Sequence, residues 1–138
     1  MKDVADLLGR IFISLLFIFE SLDTVFFFDN TKKTLTDYGI TYHPNILLGF
    51  MILLVFIGSI LVLIGYYARV GAFMLLVYWL TFTLTVYSFW NDPPSLQRIN
   101  SLYFMRNMAL CGGLLLLIAN GAGNYSVKRL IHVMRLPK

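Results

Sequence analysis

Charged residues are scarce in this chain, and their scarcity decides the class of protein. Only 13% of the 138 residues are Asp, Glu, Lys or Arg, whereas 59% are hydrophobic. Soluble domains carry about 25% charged residues, and a chain this short has to leave much of its surface in contact with solvent. With a mean hydropathy of +0.77, we expect that solvent to be lipid, which excludes an ordinary soluble domain.

Residues that build metal, haem and disulfide sites are also few. Cys111 is the single cysteine, so an internal disulfide and any Cys-x-x-Cys redox or zinc site are excluded. The two histidines, His43 and His132, lie outside the apolar runs, so we expect no haem held by two histidines of this chain. We expect no cofactor bound by the chain itself, with a quinone as the one ligand left open.

Four long apolar runs are what the chain does contain. Each is about as long as an α-helix must be to cross a bilayer, and they predict spans at about residues 7–28, 46–68, 70–90 and 101–119. The connection Gly65–Arg69 is short, so the second and third spans should form an antiparallel hairpin. The sequence therefore predicts an all-α, integral membrane four-helix bundle that forms a single domain over residues 1–138.

The segments outside the spans carry most of the basic residues. The polar segment 29–45 is expected to lie on the outer membrane face. Four spans place both termini on one side, which would carry seven of the Lys and Arg residues, and the other side four. The excess predicts that both termini are cytoplasmic. The basic tail 127–138 either fixes this topology or lies on the membrane as an amphipathic helix.

Four polar residues interrupt the spans and define a candidate intramembrane site: Glu20, Asp23, Arg106 and Asn107. Glu20 and Asp23 are three residues apart and share a helix face. By helical rise, Asp23 and Arg106 lie about 8–9 Å from the outer side. A charge inside a span costs at least about 2.5–3.5 kcal/mol, so we predict an Asp23–Arg106 ion pair supported by Asn107.

Two interpretations of this polar group stay open. In the first, Glu20 is left without a counter-ion and forms a protonatable site, lined by Tyr87, Trp90 and Tyr103, that suits a quinone head group or a proton relay. In the second, the charged residues only lock the first span to the fourth, because buried ion pairs also fix helix orientation.

Several motifs resemble the DoxX family of small four-helix membrane proteins. They are Gly9-Arg10-Ile11 in the first span, Gly65 and Arg69 in the hairpin, Phe89-Trp90 closing the third span, and above all Phe104–Asn107, Gly112–Leu116 and Asn120–Ser126. The chain departs from the family pattern at several positions, which include Tyr87 or Ser88 in place of a histidine and Val127-Lys128 in place of an aspartate. Family members often carry a lysine where this chain has Thr24 and a glutamate where it has Val55. The resemblance implies that this Lys–Glu pair is replaced by a different network.

Three functions are compatible with these features. The first is a non-catalytic or quinone-proximal subunit of a larger membrane complex; some family members are similar to subunits of a thiosulfate:quinone oxidoreductase or are implicated in membrane redox complexes. The second is a quinone-interacting oxidoreductase subunit that uses Glu20, and the third a small oligomeric transporter. We expect an accessory subunit more than an enzyme by itself, located in a bacterial inner membrane. Its expected partners are lipid and other membrane subunits or further copies of the chain, not nucleic acid.

Overall fold

The computed structural model describes residues 1–39 and 41–134, and in these ranges it consists of helices and short connections. Four long helices form the bundle, a shorter one follows the first of them, and a last one follows the fourth. Their bounds are α1 Lys2–Phe26, α2 Phe28–Asp37, α3 Pro44–Ile64, α4 Ala68–Val86, α5 Pro94–Asn120 and α6 Val127–Met134, with a 3-10 turn at Phe89–Asn91.

Length and composition make this an integral membrane protein. Three segments, Pro44–Ile64, Ala68–Asn91 and Pro94–Asn120, are each long and apolar enough to cross a bilayer. The first span is the exception, because α1 and α2 are bent by 90° at Phe27 and satisfy the criterion only as a pair. The predicted all-α membrane bundle is thus confirmed, with three to four candidate spans.

The bend between α1 and α2 follows a change in composition. Most of α1 is apolar, with Glu20 and Asp23 as the charged residues of its last two turns, whereas α2 reads Phe-Asp-Asn-Thr-Lys-Lys-Thr-Leu-Thr-Asp. A helix this polar cannot continue through lipid, so the chain turns and α2 lies across the end of the bundle. Leu35 is buried beneath it, and the Tyr38 hydroxyl donates to the Val86 carbonyl at 3.0 Å.

The bounds of α5 differ from the predicted span. The predicted span starts at about residue 101, whereas α5 begins at Pro94. Proline is favoured in the first turn of a helix, where its missing N–H would have no partner in any case. The predicted tail begins with α6 at Val127, and its residues 135–138 lie outside the described residues.

Packing within the bundle is uneven. Helices α3 and α4 form a tight hairpin in which a Cβ placed on Gly71 would lie 2.6 Å from the Gly58 carbonyl oxygen. Close approach of backbones at small residues is how membrane helices gain dispersion contacts. Helix α1 packs chiefly on α3, and α5 on α4, whereas α1 and α5 approach each other at few positions. We call this last boundary the α1–α5 seam.

The bundle has a terminal end and an α2 end. The terminal end is where α1 and α4 begin and α3 and α5 end; the α2 end is the opposite one. Between them lies a core of buried side chains from all four long helices, with Phe17, Trp79 and Leu114 at its centre. The Phe17 and Trp79 rings meet edge to face, with centroids 5.2 Å apart.

Candidate functional site

Glu20 lies inside the α2 half of the bundle. Its side chain is half-buried and lines a narrow void with Ser21 and Thr24 of α1, Ile52 and Val55 of α3 and Tyr78 of α4. The void does not admit a water-sized sphere. Glu20 therefore faces the α3–α4 hairpin as well as the seam, in space too small for a ligand in this conformation.

Thr24 and Val55, two of the positions that depart from the family pattern, both line this void. The Thr24 hydroxyl donates to the Glu20 backbone carbonyl at 2.9 Å, so its hydrogen bond stays within α1. Positions 24 and 55 are far apart in sequence, yet the fold brings them to one place. In this chain the carboxyl at that place belongs to Glu20.

Tyrosines of α4 and α5 complete the surroundings of Glu20. The hydroxyls of Tyr78 and Tyr87 are close enough to the Glu20 carboxylate to interact with it electrostatically. Tyr87 packs on Tyr103, with ring centroids 5.5 Å apart. Tyr87 and Tyr103 were candidates from the sequence, whereas Tyr78 was missed. The sequence could have indicated Tyr78 only through its hydroxyl, which lies in the middle of a predicted span without charged residues.

Arg106 and Asp23 lie on the surface of the seam. Both side chains are exposed, and the Arg106 guanidinium sits over the Tyr103 ring, 4.9 Å from its centroid. Glu20 interacts electrostatically with both residues, so the three charges share one region. Among the described residues, however, no hydrogen bond joins Asp23 to Arg106. The predicted direct ion pair is therefore not formed. Helices α1 and α5 approach each other at few positions, and the Arg106 guanidinium makes a cation–π contact with Tyr103 instead.

Asn107 points away from this group, into the core. It is 1% exposed, and its Oδ1 has no hydrogen-bond partner among the described residues. Asn107 therefore does not support a contact between Asp23 and Arg106. The indole Nε1 of Trp79 and the hydroxyl of Ser14 are likewise buried without a partner in the described chain.

Trp90 belongs to a separate aromatic cluster. Its ring lies 5.4 Å from that of Phe89 and 5.9 Å from that of Phe104, and the side chain is 54% exposed. The cluster fastens the 3-10 turn to α5. Trp90 is thus near the α2 end, but its recorded ring contacts are with this cluster and not with Tyr87 or Tyr103.

A second polar group, at the terminal end, was not predicted from the sequence. Arg10 is 2% exposed, and its Nη2 donates to the Tyr125 carbonyl, 115 residues away in the chain. Gly65 lies against the guanidinium in a left-handed conformation, φ +74°. Arg69 donates through Nη2 to the Ala119 carbonyl at 3.4 Å, near the end of α5. A cation is favoured at that position, where helix carbonyls have no intrahelical partner.

The motifs that carried the DoxX resemblance thus acquire a structural role. Gly9-Arg10-Ile11, Gly65, Arg69 and Asn120–Ser126 all meet at the terminal end. A partial signal was present in the sequence, since Gly9 precedes Arg10 directly and Gly65 precedes Arg69 by four residues. As for metal binding, no group of three or more His, Cys, Asp or Glu residues is arranged to hold an ion in the described parts of the chain.

Two comparisons with known proteins gave a match. The sequence model of the DoxX family matches residues 5–88, from α1 through the end of α4. The chain is also similar to the inner membrane protein YqjF of Escherichia coli (strain K12), with 32% identity over 132 residues that cover 96% of this chain and 95% of the relative. No solved structure matches.

Proposed function

The chain belongs to the DoxX family, and from this premise we propose that it is a non-catalytic subunit of a larger inner-membrane complex. In this proposal the α1–α5 seam receives a transmembrane helix of a partner subunit. The inner membrane location is that of the similar protein YqjF, which is described as an inner membrane protein. The positive charge at the terminal end favours a cytoplasmic location for both termini.

The observation that carries the proposal is the exposure of Asp23 and Arg106. The contact between Tyr87 and Tyr103 marks the level at which α4 ends, and Arg106 lies about 4.5 Å further into the bundle by helical rise. A charged side chain exposed to hydrocarbon costs at least about 2.5–3.5 kcal/mol. A partner helix that covers the seam and hydrogen-bonds these groups would remove that cost.

Charge and shape indicate the chemistry of the partner helix. The seam carries two carboxyl groups, on Glu20 and Asp23, and one guanidinium, on Arg106. A helix with a basic or hydrogen-bond-donating side chain at that depth would balance the extra carboxyl. The partner helix would pack along the seam, where the α1 and α5 backbones approach each other at few positions.

The remaining surface supports a role within an assembly. The connections between the long helices are short, so no soluble part of the described chain is large enough to hold a reaction site. A redox role would therefore be shared with another subunit. A quinone beside Glu20 is an alternative that requires the void there to widen, because it does not admit a water-sized sphere in this conformation.

Site-specific photo-crosslinking in intact membranes tests the proposal. A photo-reactive residue at Leu102, which is 64% exposed and one turn before Arg106 on α5, should trap a partner protein that mass spectrometry identifies. The matched control is Phe73 on α4, 58% exposed and away from the seam. We expect a protein adduct at Leu102 and lipid adducts at Phe73.

Three outcomes would change the proposal in different ways. Lipid adducts alone at both positions would contradict a docking role for the seam. An adduct between two copies of this chain would replace the partner subunit with self-assembly. A protein adduct that is lost in the double variant Asp23→Asn, Arg106→Gln, but kept in Asp29→Asn, Arg98→Gln, would support recognition through the seam charges.

A further inference from the structure

We propose that the terminal end of the bundle binds one anionic phospholipid, with its phosphate at Arg10 and Arg129 and one acyl chain in an adjoining groove. This site lies at the opposite end from Glu20, Asp23 and Arg106. It does not depend on the proposed subunit role, and each of the two proposals can fail without the other.

The first observation is an incompletely paired guanidinium inside the protein. Arg10 is 2% exposed, and while Nη2 donates to the Tyr125 carbonyl, Nε and Nη1 have no hydrogen-bond partner among the described residues. A buried charged donor without an acceptor is costly, so an anion that reaches it is bound favourably. The guanidinium fork matches the oxygens of a phosphate group.

The second observation is a groove that Arg10 itself lines. It has a volume of about 620 Å³, which lies within the range of about 300–1,000 Å³ that is usual for small-molecule sites. Its walls are apolar, with Leu7, Leu63 and Ile64 on one side and Leu130, Val133 and Met134 of α6 on the other. Leu130, Val133 and Met134 are 59%, 58% and 68% exposed, so the groove is open to an acyl chain.

A second cation stands at the same groove. Arg129, in the first turn of α6, also lines it, and its Nη1 donates to the Asn124 side-chain oxygen. Asn124 in turn donates to Asp3 at 2.8 Å, which fixes the start of α6 against α1. Two nearby carboxylates do not line the groove: Asp3 accepts from Asn124, and Asp6 packs against Gly123. Asp6 interacts electrostatically with Arg10 but accepts no hydrogen bond from its Nε or Nη1.

An enclosed guanidinium on the wall of an apolar groove, with the exposed Arg129 beside it, favours an anionic amphiphile over a neutral one. The phosphate would lie between the cations, and the acyl chain would cover the apolar face of α6, which is exposed at Leu130, Val133 and Met134. Basic pockets between membrane helices bind anionic head groups on the same physical grounds. Free phosphate shares the head-group chemistry but would leave the groove empty, so the two sources can be separated by experiment.

Native mass spectrometry of the full chain in mild detergent tests this proposal. The protein is mixed with equal amounts of phosphatidylglycerol and phosphatidylcholine of identical acyl chains, and the retained lipid is counted. We expect one phosphatidylglycerol to be retained with a preference of about tenfold, corresponding to about 1.4 kcal/mol. Equal retention of both lipids would overturn the proposal, because it would indicate ordinary surface lipid.

Two variants separate the cation from the groove. Arg129→Gln, on the exposed side of α6, should lower phosphatidylglycerol retention by about tenfold, and Val133→Glu should lower it by placing a carboxylate among the acyl contacts. The matched control Arg98→Gln removes an exposed cation from the α2 end and should leave retention unchanged. If Arg98→Gln lowers retention as much as Arg129→Gln does, net charge and not a site determines binding.

A third arm uses inorganic phosphate in place of lipid. Its readout is the labelling of Cys111, the single cysteine, which is 3% exposed and reacts with a thiol dye when the bundle unfolds. Phosphatidylglycerol should raise the unfolding temperature in the wild type and not in Arg129→Gln, and inorganic phosphate should not raise it in either. Equal stabilisation by inorganic phosphate would show an ion site instead of a lipid site and would overturn the proposal.

Discussion

Arg10 and Arg106 are both guanidinium groups on membrane-spanning helices, yet the fold treats them in opposite ways. Arg10 is enclosed at the terminal end by a glycine in a left-handed conformation and by a backbone carbonyl from a distant part of the chain. Arg106 is exposed at the α1–α5 seam and rests on a tyrosine ring. Contacts to the backbone thus hold Arg10 in place, whereas Arg106 is held by a single side-chain contact and stays exposed.

The same contrast extends to the helices around them. At the terminal half, Gly58 and Gly71 bring the backbones of α3 and α4 together. At the α2 end, α2 is attached by one buried leucine and one tyrosine hydroxyl. We therefore expect substitutions to lower the free energy of unfolding most at the terminal end and least at the seam. The stability of each variant can be followed as the temperature at which Cys111 becomes reactive.

Gly65→Ala should have the largest effect. A Cβ at this position would collide with the Arg10 guanidinium and lie 2.9 Å from the Ser126 Cβ, in addition to the strain of φ +74°. We expect a loss of about 2–5 kcal/mol from overpacking and backbone strain together. Gly39→Ala is the matched control, since Gly39 has φ +83° but no described atom within 4 Å of the added Cβ. Equal losses in the two variants would show that the Arg10 enclosure contributes nothing.

Gly71→Ala should come next. The added Cβ would lie 2.6 Å from the Gly58 carbonyl oxygen and 2.9 Å from the Leu61 Cβ, so α3 and α4 must separate. Overpacking of this kind costs about 1–3 kcal/mol. Gly49→Ala on α3 has open space around the new methyl group and should be neutral or stabilising by about 0.5–1 kcal/mol. A stable Gly71→Ala protein would contradict the close hairpin.

Tyr38→Phe should loosen α2 with a smaller effect on the bundle. The variant removes the hydroxyl that donates to Val86, and the loss should be about 0.5–1.5 kcal/mol. Hydrogen exchange should accelerate in the α2 amides and not in those of α4. Tyr42→Phe serves as the control, because Tyr42 is 83% exposed. Unchanged exchange in Tyr38→Phe would mean that Leu35 alone holds α2 in place.

Arg106→Gln should have the smallest effect on the isolated chain. The variant loses one exposed cation–π contact, which contributes about 0.5–1 kcal/mol. The same variant should lower the yield of the partner adduct at Leu102 in membranes, whereas Arg98→Gln should change neither measurement. A large loss of stability in the purified Arg106→Gln protein would show that the seam charges lock the monomer instead of serving a partner.

Much of the fold could be predicted from the sequence, since span formation depends on local properties. Runs without charge are long enough to cross a bilayer, and their helices satisfy every backbone group internally. Helix α5 extends beyond the predicted span at its start, because Pro94 is suited to the first turn of a helix. The family was predicted as well, on motifs whose structural purpose the sequence did not reveal.

The candidate site was predicted only in outline. Glu20, Asp23 and Arg106 do share a region, because helical rise sets the depth of a residue in a span. Depth does not determine which way a side chain faces. Tyr78 was missed and Asn107 was assigned to the wrong surroundings because rotation about each helix axis depends on packing against its neighbours. A functional role for Glu20, Asp23 and Arg106 stays a prediction.

The amino-acid sequence alone was enough to predict that lipid surrounds most of this protein. It was also enough to predict the number of long helices and the charged residues that they carry. These properties depend on composition and on the length of apolar runs, which act locally. Only the tertiary structure decided that Arg10 would be enclosed by Gly65 and Tyr125 and that Arg106 would stay on the surface. The reason is that enclosure needs groups far apart in the chain to converge, and helix packing, not hydropathy, sets which of them meet.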